Sequence, residues 1–221
     1  MKKIAFLFLA VVIFILTGCS LVMYEQYGMK FPKTLDTTEI RHWAKKFNIP
    51  QDKVFVLDTN YMVFLKTLPV FDSARISDTT KKWKYKVRNN HAQPMQALYF
   101  DPSGKLVSYH VNCDFGGFPD LKFNAGGNFN VFVPVSTSYI FPEITFSLLQ
   151  PWIRTLRNEP LPSQLYPVHD YTIVVFWCRF GGRQSKRFIR TIQDNLKLAG
   201  DTKYSILYVN DDNFQCKDAY K

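Results

Sequence analysis

The sequence predicts an α/β domain, and three patterns carry that prediction. Two stretches, one near each end of the chain, repeat apolar residues at the 3.6-residue period of a helix buried on one face. Two alternating runs flank the turn sequence Asp101-Pro102-Ser103-Gly104, as in a hairpin. Residues 171–210 then read as strand, glycine turn, helix and strand in succession.

The first helix is expected over about 37–48. Ile40, Trp43, Ala44 and Phe47 make its apolar face, Asp36 and Glu39 suit a capping box, and Pro50 ends it. A strand follows at 53–58, and then "NYMVFLKTL", which fits helix or strand. In "KKWKYKVR" (81–88), Trp83, Tyr85 and Val87 alternate with Lys82, Lys84, Lys86 and Arg88. As a strand it has one basic and one aromatic face: a surface for phosphates, headgroups or an acidic partner, or a solvated edge guarded by lysines.

The hairpin covers about 95–111, and 112–130, rich in Gly, Asn and Phe, reads as a long irregular loop. A helix is expected over 144–157, with Pro151 marking its start or a kink. A proline-rich connector at 158–170 leads to the strand Tyr171–Trp177, a helix at about 183–198 and the strand Tyr204–Asn210. Phe188, Ile189, Ile192 and Leu196 form the inner face of that helix, Arg183, Lys186, Arg187 and Arg190 the outer, and Gly200 stops it.

The first residues stand apart from the fold. Lys2 and Lys3 precede an apolar run from Ile4 to Leu16, too short to span a bilayer, which needs roughly 20 residues. "LTGC" (Leu16–Cys19) closes it and resembles the bacterial lipobox. The resemblance implies a signal peptide at 1–18, a lipidated Cys19 as first mature residue, and a tether over 19–36. A single globular domain over 37–221 is expected to follow. The implied place is the bacterial cell envelope, with Ser20, where Asp would retain the protein, favouring the outer over the inner membrane. Each buried methylene contributes about 0.8 kcal/mol, so the two or three chains of such a cysteine anchor stably. Loss of Lys2 and Lys3 lowers the net charge from +10 to +8, which favours an anionic or protein partner or the membrane surface. An exported chain would seldom meet nucleic acid.

Three cysteines remain, Cys113, Cys178 and Cys216, with no Cys-x-x-Cys and no zinc-finger spacing. One disulfide with one thiol, or three buried thiols, both fit. No metal or cofactor is expected: His42, His91, His110 and His169 form no paired arrangement, and Gly-x-Ser-x-Gly is absent.

"VVFWCRFGGRQSKRFI" followed by "YSILYVNDDN" resembles the first half of a thioredoxin. "EIRHWAKKFNIPQDKVFVLD" followed by "QPMQALYFDPSGKLVSYHV" is similar to the later part of exported thiol-disulfide oxidoreductases and peroxidase-like redoxins. The resemblance implies a thioredoxin-like mixed central sheet flanked by helices, with long loop insertions and its elements in circularly permuted order. It makes Pro94 the loop proline beside the reactive turn. The turn itself holds Gly181, Gly182, Arg183, Gln184 and Ser185 where a thioredoxin has its cysteines.

Chemistry at this turn has two candidates. Cys178, flanked by Arg179 and Arg183, is the one catalytic candidate, against an inert buried thiol; Cys113 and Cys216 are candidate structural thiols. Arg179, Gly181, Gly182 and Arg183 at a helix start are a candidate anion site. The leading expectation is a membrane-anchored binding or scaffolding protein that is not an enzyme. The alternative is a thiol-dependent oxidoreductase or peroxidase-like redoxin using Cys178.

Overall fold

Tyr171–Trp177 concentrates β-branched and aromatic residues, and it lies inside the sheet with its last five residues buried. The computed structural model describes residues 25–68, 87–118, 120–161 and 169–219. In chain order the elements are α1 (Thr37–Lys46), β1 (Val54–Leu57), α2 (Met62–Thr67), α3 (Val87–His91), β2 (Gln96–Phe100) and β3 (Leu106–Val111). Then come α4 (Phe146–Leu149), β4 (Ile153–Arg154), β5 (Tyr171–Trp177), α5 (Arg183–Leu196), β6 (Tyr204–Asn210) and α6 (Asp212–Ala219). Among the described residues no helix is long and apolar enough to cross a membrane. Cys19 and residues 81–86 of the basic–aromatic run lie outside the described residues.

The strands form one six-stranded mixed sheet in the order β3-β2-β5-β6-β1-β4. β5, β6 and β1 run parallel; the β2–β3 hairpin joins antiparallel to β5, and β4 closes the far edge antiparallel to β1. Successive side chains of a strand point to opposite faces, so β5 feeds two cores. Ile173, Val175 and Trp177 face Ile40, Ala44 and Phe47 of the α1 segment and Phe188, Ile189 and Ile192 of α5. Val174 and Phe176 face Tyr61, Phe64, Phe146 and Phe214 on the other side.

Several expected elements are observed. Asp36 caps α1, its carboxylate accepting from Glu39 N at 2.8 Å. Gly104 takes φ +79° at the hairpin turn, where Asp101 accepts from the Ser103 and Lys105 amides. The ambiguous run after Asn60 is helical (α2).

Three expectations are corrected. The helix over 144–157 is reduced to the single turn α4. Pro151 has no N–H to continue it, and after a 3-10 turn at Gln150–Trp152 the chain extends as β4, which buries Ile153. Val87 and Arg88 open helix α3 instead of ending a strand. Residues 26–35, expected as tether, are hydrogen-bonded to the domain from Arg183 to Asn213.

The loop after β3 is irregular but fixed. It buries Phe115, Leu121, Phe123 and Phe129 against α5. Three side chains of α5 hold its backbone or its charges: Gln184 accepts from Leu121 N, Arg187 pairs with Asp120, and Asn195 donates to Phe129 O and Val131 O.

Candidate functional site

The turn from Cys178 to Gly182 leaves the carboxyl end of β5 in the centre of the sheet, where open α/β sheets place their ligand crevices. It is closely bonded. Cys178 is fully buried; its Sγ accepts from Gly181 N at 3.3 Å and lies 3.5 Å from Ser185 Oγ. Asp212, at the start of α6, accepts from Arg179 N at 2.6 Å, Phe180 N at 3.3 Å and Asn210 Nδ2 at 2.7 Å. Gly182 N donates to Arg179 O, and Gly182 takes φ +54° to start α5. A Cβ on Gly181 would lie 2.5 Å from Ser185 Oγ and 3.0 Å from Cys178 Sγ, so those side chains would have to shift.

Electrostatics at Cys178 oppose a thiolate. Burial is the first cause, followed by the nearby Asp211 and Asp212, and together they push the thiol well above its ordinary range. Reactive cysteines need the reverse, a partly exposed and electropositive setting. The flanking arginines are turned to other partners. Arg179 donates from Nη1 to Phe31 O at 2.8 Å and lies over the Trp43 ring, while the Arg183 guanidinium donates to Gln26 O.

The same segment, 26–35, straps the turn. Lys30 N donates to Phe180 O at 2.9 Å, and Arg183 N to Tyr27 O at 3.2 Å. A Cβ on Gly182 would meet Gly28 O at 1.9 Å, so backbone crosses backbone here and only glycine fits. Leu35 N and O bond the Asn213 side chain at 2.7 and 3.0 Å, fastening the strap to α6. Arg179, Gly181, Gly182 and Arg183 are therefore brought together, as expected of an anion site, but their backbone N–H groups are all bonded and one guanidinium N–H of each arginine is held by a strap carbonyl. Both glycines are buried, and the chain's own carbonyls and the Asp212 carboxylate hold the positions an anion would fill.

Beside the turn lies a cavity of about 320 Å³, lined by Pro94, Cys113, Gly181 and Gln184 among others. Pro94 and the glycine turn thus meet at one site. Cys113 is exposed at this cavity. Cys216 is buried on α6, and burial lifts its thiol. Cys113, Cys178 and Cys216 are all thiols, with no disulfide.

Two of the four histidines are buried in the core. His91 stacks on Tyr109 with ring centroids 4.5 Å apart, and burial pushes it down to about 3. His110, bonded to Ser108 Oγ and Thr137 Oγ1, is likewise pushed down to about 3 by burial. Both are neutral at physiological pH. Among the described residues no group of His, Cys, Asp or Glu converges to hold a metal ion.

Sequence reasoning missed Asp211, Asp212 and Gln184. The two aspartates follow a strand and precede a helix, where Asp is favoured, and that was the available signal. No protein-family model, curated protein or solved structure matches the chain.

Asp211 yields a pH prediction. Burial first, then Asp212, raises its carboxyl well above the ordinary range; Oδ2 accepts from Gln215 Nε2 and Oδ1 has no partner. The folded state therefore holds a proton that the unfolded chain releases near pH 4. Its stability contribution is complete below that pH and is lost as pH rises toward the folded value. Asp211→Asn is expected to raise the urea midpoint at pH 7–8 and to flatten its decline above about pH 4. Urea unfolding across that range checks it; an unchanged slope contradicts it.

Proposed function

We propose that this chain is a lipid-anchored protein of the bacterial cell envelope whose thioredoxin-like domain, in permuted element order, binds a ligand or partner and does not exchange disulfides. One observation carries the non-catalytic reading: the only cysteine of the turn is sealed, with its thiol raised, beneath a strap that uses the turn's donors. A nucleophile needs the opposite on every count.

Two observations support the thioredoxin-like part. The permuted order requires Tyr171–Trp177 to pair with the hairpin, and β2 lies antiparallel against β5 along Gln96–Phe100. It also requires the loop proline beside the reactive turn, and Pro94 and Gly181 line one cavity. Permutation costs little where chain ends meet at the surface, and here the strap is bonded to the last helix through Leu35 and Asn213.

The anchoring part rests on "LTGC" and the basic, apolar stretch before it. Acyl chains on Cys19 would hold the domain at the membrane, in the outer membrane by the Ser20 rule, and the strap would seat it close to its anchor. The net positive charge suits an anionic or protein partner there.

Two measurements test these parts separately. In the folded protein, iodoacetamide is expected to label Cys113 readily and Cys178 only as fast as the fold opens, about a hundredfold more slowly or less. Rapid labelling of Cys178 with a depressed apparent pKa would establish the oxidoreductase reading instead. For the anchor, Cys19→Ser is expected to abolish acylation and the shift in migration that accompanies it; unchanged migration and membrane fractionation would refute lipidation.

A further inference from the structure

The cavity beside the turn has a composition that selects its occupant. Its walls are Met29, Met95, Phe115, Leu121 and Phe180, and none of its lining residues is charged. At about 320 Å³ it has the size and apolar character of small-molecule sites, which add a few fixed polar groups for orientation. A charged ligand would lose its hydration here with no counter-charge to replace it.

Gln184 supplies the fixed polar group. It is only 3 % exposed, on the first turn of α5. Its Oε1 accepts from Leu121 N at 3.2 Å, and this sets the amide orientation, leaving Nε2 as the free end. Nε2 has no protein acceptor among the described residues, and it is not among the sealed, unpartnered atoms of the interior. It is therefore open to the cavity that Gln184 lines. Asn112, the other amide at the wall, is satisfied: Oδ1 accepts from Met95 N, and Nδ2 donates to Gln93 Oε1. One buried donor facing an uncharged apolar cavity calls for an acceptor on an apolar body.

We propose that this cavity binds an uncharged apolar molecule bearing a carbonyl acceptor, such as an ester of a medium-length acyl chain, with the acceptor on Gln184 Nε2 and the apolar body against the Met and Phe walls. The inference rests on the binding reading above and names its ligand class. Met29 belongs to the strap, so the wall is complete only while the strap is docked. Two adaptable Met side chains in the wall, Met29 and Met95, fit a flexible chain.

Cys113 at the cavity reports occupancy without taking part in it. The test is the rate at which iodoacetamide alkylates Cys113 in the full-length chain, read by mass spectrometry of its peptide, with methyl octanoate or octanoate added. At about ten times its dissociation constant, methyl octanoate is expected to slow the reaction about tenfold, and octanoate at equal concentration much less. Gln184→Glu keeps an oxygen for Leu121 N and puts oxygen where the donor was; it is expected to weaken the ester's protection about tenfold. An unchanged Cys113 rate with the ester, equal protection by octanoate, or full protection in Gln184→Glu would each overturn the proposal. The octanoate comparison uses the unaltered protein, so it decides even if the variant folds poorly. Cys178, read in the same digest, reports separately on the sealed turn, so failure of either reading is visible by itself.

Discussion

The buried carboxylate of Asp212 is the constraint on which the rest of this architecture depends. It stands at the junction of β6 and α6 and accepts the amides of Arg179 and Phe180 from the neighbouring β5–α5 turn. Bonds from backbone N–H to a carboxylate are among the stronger ones in proteins, and truncating the acceptor would leave two inward donors unsatisfied at about 1–3 kcal/mol each. Burial raises Asp212 while the three donors on it favour its charged form. Asp211 beside it has one donor and an unpartnered oxygen, so of the two it is the one that stays neutral.

From this bond the site follows in sequence. With Arg179 and Phe180 fixed, the chain turns inward at Cys178 and Gly181 and starts α5 at Gly182. The carbonyl of Phe180 and the amide of Arg183 are then presented to the strap, which crosses against Gly182 with no room for a Cβ. The strap covers the turn and leaves Met29 against the cavity that Gln184 and Pro94 also line. The packing that buries Cys178 and raises its thiol thus also shapes the cavity beside it.

Much of the frame was legible in the sequence, for identifiable reasons. The β5–α5–β6 unit has strong periodicity and a glycine turn, and the hairpin has turn residues at fixed spacing, so both could be placed from local pattern alone. The helix over 144–157 could not. Four apolar residues support only one helical turn before Pro151, and pairing of Ile153 with Leu57 nearly a hundred positions earlier decides the rest. At the site, the arginines beside Cys178 suggested activation; their direction is set by carbonyls of Gln26 and Phe31, and sequence spacing carries no trace of that contact. Gln184 was legible as a helix residue but not as the acceptor for the loop, because that contact is with an amide 63 positions away.

Strap and turn form one locked unit tied to Asp212, and amide hydrogen exchange of the full-length chain is the direct test of that unit. The amides of Lys30, Arg179, Phe180 and Arg183 are expected to be protected together, and Asp212→Ala is expected to release all four while the β2–β3 hairpin stays protected. A strap that exchanges at once in the unaltered protein, or a turn that keeps its protection in Asp212→Ala, would contradict it.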